Sequence, residues 1–129
     1  MIDRKPTLSC DFDGVLHLYS SGWKGPDKIP DGPVPGAMQW LRQAIDHFNV
    51  SIFSSRSRYP QGIAAMKKAI EQWATEELGA DEATVLINNL EYPTHKPAAF
   101  ISIDNRAFCF EGEFPNVHTL LKFKPWNKR

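Results

Sequence analysis

Two carboxylates that stand two residues apart, Asp11 and Asp13, are the clearest chemical signal in this chain. They follow a short stretch, Thr7 to Cys10, that predicts a strand, and they precede Gly14. In an extended backbone, residues i and i+2 point the same way, so both carboxylates are expected to aim at one place. Two such charges repel each other unless a cation sits there or one carboxyl holds a proton. The pair therefore indicates metal-assisted chemistry on an anionic substrate, with one Asp free to attack.

Composition predicts a single soluble domain that spans residues 1–129. The apolar fraction is 42%, the charged fraction is 23% and the formal net charge is zero, so nothing draws the whole chain to nucleic acid or membranes. No signal peptide is recognisable, and no apolar run approaches the roughly 20 residues of a membrane-spanning helix. Cys10 and Cys109 stand in apolar, strand-like contexts, which predicts buried thiols in a reducing cytoplasm.

Charge is unevenly distributed along the chain. Every formal charge between residues 69 and 95 is negative, and every one after Glu113 is positive. The acidic stretch predicts a solvated helix face. The basic tail, residues 122–129, is either solvated in the same way or in contact with a polyanionic substrate.

Strands and helices alternate, which predicts an α/β fold with a mainly parallel sheet of about five strands and helices on both faces. The expected strands are 7–10, 50–53, 84–87, 100–103 and 107–110, and the expected helices are 36–48, 60–78 and 116–121. Residues 17–35 contain four prolines and three glycines, a composition that predicts a long functional loop, called here the flap loop.

Ligands of such sheets bind beyond the carboxyl ends of the strands. Strand ends place Asp11, Ser54 and Asp104 at one rim, and Lys96 lies in the loop before the strand that ends at Asp104. Mg²⁺ prefers oxygen ligands, so Asp11 and Asp104 are the expected metal ligands, with the main-chain carbonyl of Asp13 as a third. The predicted substrate is a phosphate monoester, whose charge a catalyst must neutralise.

Each residue then has an expected role in phosphate transfer. Asp11 attacks phosphorus, and Asp13 protonates the leaving alkoxide and later activates water. Ser54 and nearby backbone N–H groups bind the phosphoryl oxygens, and Lys96 supplies a compact positive charge. Taken alone, Ser54 is equally well explained as a helix N-terminal serine.

Four segments together resemble the motifs of the haloacid dehalogenase-like hydrolase superfamily. The hexapeptide 11–16 is similar to the first motif, Phe53–Arg56 to the second, Lys96 to the third and Ile103–Ala107 to the fourth. They occur in the family's order and span most of the chain. The resemblance implies a Rossmann-like three-layer α/β/α fold, Mg²⁺ dependence and phosphatase activity through an aspartyl-phosphate. Asp13 marks the phosphohydrolase branch of that family.

The chain departs from the family pattern at one position, because many relatives carry a second acid where Asn105 stands. The amide oxygen can still bind a metal ion or its water, so weaker Mg²⁺ binding is expected. Members of this family often carry a cap domain inserted over the active site. The flap loop is too short to fold into such a domain, so an enzyme without a cap is expected. The loop brings Trp23, Lys24 and Lys28 near the rim, as substrate contacts or as ordinary packing and solvated residues.

Further residues near the rim have two interpretations each. Ser55 and Arg56 either contact substrate or support the site, and Arg56 equally suits an ion pair with a structural carboxylate. His17 and His95 lie near the expected site, where lone histidines are more often structural. Neither the Gly-x-Ser-x-Gly elbow of serine hydrolases nor a Walker-type glycine-rich phosphate loop is present.

Two functions compete on this pattern. The first is a Mg²⁺-dependent phosphatase acting on a phosphorylated small molecule or on the phosphorylated end of a nucleic acid or protein. The alternative is a catalytically weak or inactive module that binds a phosphorylated partner. A phosphomutase is disfavoured by the lack of room for a cap. The exposed-looking aromatics Trp23, Phe114 and Trp126 permit a homodimer without requiring one.

Overall fold

The computed structural model describes residues 5–128 and contains a four-stranded, fully parallel sheet among helices. The strand order is β3-β2-β1-β4. In chain order the elements are β1 (Thr7–Cys10), α1 (Ala37–Ala44), β2 (Asn49–Ile52), a 3₁₀ turn (Ser55–Arg58), α2 (Pro60–Leu78), α3 (Ala80–Ile87), β3 (Leu90–Glu91), β4 (Ile101–Ile103), α4 (Val117–Leu121) and a 3₁₀ turn (Trp126–Lys128). The α/β class is confirmed, with four strands rather than about five.

The register of the strands brings their carboxyl ends to one line. Cys10 of β1 pairs with Ile52 of β2 on one side and with Ile103 of β4 on the other. The ladder continues one residue further, because Asp11 N–H donates to the Ile103 carbonyl at 3.0 Å and Phe53 N–H donates to the Cys10 carbonyl at 3.0 Å. The residues that follow these three strands therefore meet at one rim of the sheet.

One face of the sheet carries the apolar core. Leu8 and Cys10 of β1 alternate with Ser9, as Val50 and Ile52 of β2 alternate with Ser51, so the apolar side chains share a face. Helices α1, α2 and α3 pack against one another. Their buried side chains join those of the strands in a single core that includes Met38, Leu41, Met66, Ile70, Trp73 and Leu86.

Helices α1 and α2 follow the predicted periodicity. Met38 and Leu41 of α1 are buried, although the helix ends at Ala44 instead of continuing to residue 48. Helix α2 has the predicted bounds: Pro60 occupies its first turn, and Gly79 follows its end with a φ of 85°. A positive φ at this point favours glycine over residues that carry a Cβ.

The prediction of a strand at 84–87 is wrong, because this stretch is the second half of α3. Its β-branched residues suggested a strand, but Ala83 and Leu86 lie three residues apart and are both buried, which is helical spacing. Thr84 Oγ1 donates to the Ala80 carbonyl at 2.9 Å, a bond that a helix allows. The strand of this region comes later and is only two residues long, at β3.

The predicted strand at 107–110 is also absent from the described residues. Phe108, Phe110 and Cys109 are exposed there, so the apolar alternation has no sheet surface to pack against. The prediction that Cys109 is buried is therefore wrong, whereas Cys10 is fully buried as predicted. Phe114 is 90% exposed and Trp126 is about half exposed.

The segments that frame the rim are tied to each other. In the flap loop, Leu18 N–H donates to the Gly32 carbonyl, and Val34 N–H donates to the Leu16 carbonyl. The basic tail folds back on the turn that follows β1, where Trp126 Nε1 donates to the Gly14 carbonyl at 2.6 Å. Within residues 5–128, no helix has the length and apolar character to cross a bilayer.

Candidate active site

A pocket of about 270 Å³ opens at the carboxyl ends of β1, β2 and β4. Asp11, Ser54, Lys96 and Asp104, four of the residues that the sequence indicated, line it together. Its remaining wall is formed by Ser9, Phe53, Ser55, Ser102, Ile103 and Arg106. Larger hollows lie over the exposed aromatics of the C-terminal region and contain none of these carboxylates.

Asp11 is the most perturbed acid of the site. Burial raises its pKa from 3.8 to about 7, and the nearby charges of Asp104 and Asp13 add to this effect. The Phe12 N–H donates to Asp11 Oδ1 at 2.8 Å, which opposes the rise and fixes the carboxylate. A carboxyl that is costly to ionise on its own becomes a good ligand or nucleophile once a cation compensates its charge.

Asp104 stands next to Asp11 across the β1–β4 pair. The two carboxyl groups are close enough that a hydrogen bond between them contributes to the raised pKa of Asp11. Asp104 is exposed, and its Oδ1 accepts a hydrogen bond from Arg106 N–H at 2.8 Å, which holds it in the turn after β4. The strand register therefore places Asp11 and Asp104 side by side at the rim.

The Asn105 side chain lies beside the oxygens that the first motif offers to a cation. One terminal atom of its amide is 3.1 Å from Asp11 Oδ2 and 3.2 Å from the Asp13 carbonyl oxygen. With nitrogen in that place, the amide donates hydrogen bonds to both oxygens. With oxygen in that place, three oxygens converge, and such a cluster needs a cation.

The first arrangement satisfies both oxygens within the protein, and the second is the one that a bound Mg²⁺ would require. Adjacent ligands of an octahedral ion with bonds of 2.0–2.1 Å lie about 2.9 Å apart, close to these separations. Within residues 5–128 no group of three or more His, Cys, Asp and Glu side chains could hold a metal ion. The expected metal ligands include only two carboxylates, Asp11 and Asp104. The other expected ligands are the main-chain carbonyl oxygen of Asp13 and the amide oxygen of Asn105.

Ser54 combines a structural role with a place in the pocket. It is buried, and its Oγ accepts a hydrogen bond from Arg56 N–H at 2.9 Å, which caps the 3₁₀ turn at Ser55–Arg58. The Ser57 Oγ in turn accepts from Ser54 N–H at 3.0 Å. Lys96 is exposed and reaches the same pocket from the loop before β4. Both residues lie where the sequence predicted them.

Asp13 lies beside the pocket without lining it, and two neighbouring side chains hold its carboxylate. Arg56 Nε donates to Asp13 Oδ1 at 3.1 Å and to Oδ2 at 3.0 Å. His17 Nδ1 lies 2.9 Å from Oδ1. Asp13 thus offers its carbonyl to the Asp11 side and its carboxylate to a separate polar cluster.

Arg56 links this cluster to the flap loop. Its guanidinium is fully buried, and Nη1 donates to the carbonyls of Gly25 and Pro26 at 3.0 and 2.9 Å. The same group stacks on Trp23, with its Cζ 5.0 Å from the ring centroid. Trp23 is about half exposed and lines a second, smaller hollow that shares Ser55 with the main pocket.

Two residues of the site were not assigned their roles from the sequence. His17 is fully buried and stacks on Phe12 and Trp73, while Arg106 lines the main pocket. Arg106 follows the fourth motif directly, a position that could have marked it. His17 carries no such signal, because its partners come from residues 13 and 31. His95 is exposed and lies next to Lys96.

No protein-family model matches the chain, and no curated protein or solved structure matches it either.

Proposed function

We propose that this chain is a Mg²⁺-dependent phosphomonoesterase that works through an aspartyl-phosphate, as its resemblance to haloacid dehalogenase-like hydrolases implies. One observation carries the proposal: two carboxylates, Asp11 and Asp104, meet a serine and a lysine in one pocket at the rim of a parallel sheet. The proposal includes the Rossmann-like three-layer arrangement of that family. The four-stranded parallel sheet would be its central layer.

The residues that would hold Mg²⁺ are Asp11, Asp104 and the Asp13 carbonyl, with Asn105 beside them. When bound, the ion neutralises negative charge on the phosphoryl oxygens and on the attacking carboxylate. The raised pKa of Asp11 supports this assignment, because uncompensated charge is concentrated where a cation would be most favourable.

The reaction divides into two displacements at phosphorus. An Asp11 oxygen forms a bond to phosphorus, the bond to the ester oxygen breaks, and its electron pair leaves with that oxygen, which takes a proton from Asp13. Water then attacks the aspartyl-phosphate and gives its proton to the Asp13 carboxylate. Inorganic phosphate leaves, and the Asp11 carboxylate is restored. The sum is one ester and one water converted to one alcohol and one phosphate.

Ser54 and Lys96 stabilise the phosphoryl group during both steps. The Ser54 Oγ accepts a hydrogen bond from Arg56 N–H and donates its hydrogen to the Met66 sulfur at 3.7 Å. A thioether is a weak acceptor, so a phosphoryl oxygen in the pocket would compete well for this hydrogen. Lys96 presents a positive charge from the opposite loop. Preorganised donors of this kind contribute on the order of 10²–10³-fold in rate when one is removed.

The experiment is hydrolysis of a panel of phosphate monoesters with Mg²⁺ and with a chelator. We expect Mg²⁺-dependent release of phosphate by the native protein and none by Asp11→Asn, while the exposed control Asp81→Asn keeps its activity. Fluoroberyllate should bind only when Mg²⁺ is present and Asp11 is intact. Turnover by Asp11→Asn, or activity that survives chelation, would refute the proposal.

A second candidate function follows from Asn105. If its nitrogen faces Asp11 and the Asp13 carbonyl, the amide satisfies both oxygens without a cation. The chain would then be a weak or inactive module that binds a phosphorylated partner in the same pocket. Titration calorimetry with Mg²⁺ separates the two candidates: a binding isotherm abolished by Asp104→Asn supports the enzyme, and an absence of heat with phosphopeptide binding intact supports the module.

A further inference from the structure

Asp13 is held by two buried residues that also hold the flap loop. Arg56 contacts both oxygens of the Asp13 carboxylate and the carbonyls of Gly25 and Pro26. His17 contacts Asp13 through Nδ1 and the flap loop through Nε2, which accepts a hydrogen bond from Asp31 N–H at 3.1 Å. Neither side chain has any exposed surface.

The hydrogen-bond geometry fixes which atom of His17 faces Asp13 as a donor. A backbone N–H can only donate, so the Nε2 that receives it is an acceptor. The ring hydrogen then lies on Nδ1, 2.9 Å from Asp13 Oδ1, where it donates to the carboxylate. Stacking against Phe12 and Trp73 holds the ring plane.

The two oxygens of Asp13 are consequently not equivalent. Oδ1 accepts a hydrogen bond from His17 Nδ1 and shares the single Arg56 Nε–H with Oδ2, so both of its lone pairs are engaged. Among the described residues, Oδ2 receives only the bond from Arg56 Nε. The remaining lone pair of Oδ2 is the one available for proton exchange with a substrate oxygen.

A buried guanidinium is a costly way to hold one side chain. In the described part of the chain, Arg56 Nη2 is buried without a hydrogen-bond partner, and such groups are rare where no function requires them. An apolar residue would fill the same space in the core at lower cost. The arrangement is therefore explained better by what it does to Asp13 than by stability.

We propose that Arg56 and His17 are positioning residues that orient Asp13 so that its Oδ2 exchanges the proton of the leaving group, and that they couple this acid to the flap loop. The inference rests on the proposed phosphatase activity. It assigns the leaving-group side of the reaction to the Asp13, Arg56 and flap-loop cluster, and the phosphoryl side to the pocket at Asp11.

The test compares two esters that differ in their need for an acid. Glycerol phosphate releases an alkoxide that must be protonated, whereas 4-nitrophenyl phosphate releases a stable phenolate. Asp13 also activates water in the second displacement, which both esters share, so the comparison uses kcat/KM, which reports the first displacement alone. General acid catalysis contributes about 10²–10⁴-fold, so we expect His17→Phe to lower kcat/KM for glycerol phosphate by about 10–100-fold and for the aryl ester by less than about 3-fold. Asp13→Asn should show the same selectivity with a larger loss.

Conservative variants separate positioning from a merely structural role. His17→Phe keeps ring stacking but loses the donor, while His17→Asn retains an N–H near the Nδ1 position and should restore most of the glycerol phosphate rate. Arg56→Lys keeps the charge but loses the fork that bridges Asp13 and the flap loop, and should show the same selective loss. Arg58→Lys, at an exposed residue of the same 3₁₀ turn, is the matched control.

The outcomes are distinct. Equal losses on both esters in variants whose circular dichroism is native, or no rescue by His17→Asn, would overturn the inference and leave the phosphatase assignment standing. If His17→Phe does not fold, Arg56→Lys against Arg58→Lys gives the same comparison. A native protein that hydrolyses neither ester would overturn the phosphatase assignment, and this inference with it.

Discussion

Replacing Asp11 by Asn should stabilise the metal-free protein, and should do so only above about pH 4. Burial and the neighbouring carboxylates raise the folded-state pKa of Asp11 from 3.8 to about 7. Because the folded-state value is the higher one, protonated Asp11 contributes stability below about pH 4, and this contribution is lost as the pH rises through about 7. Asn mimics the protonated acid at every pH and avoids this loss.

The size of the effect follows from the shift. At about 1.4 kcal/mol per pKa unit, the change gives about 4 kcal/mol as an upper limit. Asp11 is partly exposed and water screens part of this penalty, so we expect about 2 kcal/mol at pH 8. For a chain of this length that corresponds to a rise in Tm of about 8 °C.

The assay is thermal and urea unfolding of both proteins in chelator between pH 4 and pH 9. The two curves should coincide near pH 4, separate through pH 5–7 and run parallel above pH 8, while the exposed control Asp81→Asn shows no such divergence. Saturating Mg²⁺ should stabilise the native protein and not Asp11→Asn, which closes the gap. A stability difference that does not change with pH would refute the account of burial and charge at this rim.

Three further results are expected. Gly14→Ala should lower the free energy of unfolding by about 2 kcal/mol in urea denaturation, because φ is +81° and the new methyl group overlaps the Asn105 amide. Gly22→Ala is the control: its φ is +75° and the space around it is open, so it should show the backbone strain alone, about 1 kcal/mol. Iodoacetamide at pH 8 should alkylate the exposed Cys109 within minutes and leave Cys10 unmodified, as measured by mass spectrometry. Cys10 should resist because burial and the adjacent carboxylate raise its pKa to about 12. Rapid labelling of both thiols would contradict the buried position of Cys10. Trp126→Phe should lower the free energy of unfolding by about 1 kcal/mol through the lost hydrogen bond to Gly14, and an unchanged urea midpoint would show that the tail does not dock there.

Much of the rim could be predicted because it depends on local patterns. An apolar strand followed by Asp11, a second followed by Ser54 and a third followed by Asp104 are each visible within a few residues, and the parallel register then brings their ends together. Helix α2 was predictable for the same reason, since Pro60 and Gly79 mark its ends.

The errors lie where the outcome depends on distant partners. A β-branched run at 84–87 became helix because burial of Ala83 and Leu86 against the other helices outweighed strand propensity. The alternation at 107–110 did not become a strand because a strand needs a neighbouring strand as well as a pattern. Residue spacing indicates which secondary structures a segment can form, and tertiary packing selects one of them.

Asp13 shows the same limit within the site itself. Spacing of two residues predicts that both carboxylates of the first motif point to one place, but that rule holds only while the backbone stays extended. Strand β1 ends at Cys10, and the turn at Gly14 presents the carbonyl of Asp13, not its carboxylate, to Asp11 and Asn105. The carboxylate is thereby free to meet Arg56.

This turn divides the chemistry between two sides of one residue. The main chain of Asp13 faces the carboxylates that would hold a cation, and its side chain faces the flap loop through Arg56 and His17. A substitution in the flap loop should therefore slow proton transfer by Asp13 more than it weakens binding of the phosphoryl group in the pocket at Asp11. Trp23→Ala, which removes the ring that stacks on Arg56 at an exposed position, should lower turnover of alkyl phosphates by about 3–10-fold without weakening fluoroberyllate binding, and weaker binding would mean that the two sides are not separate.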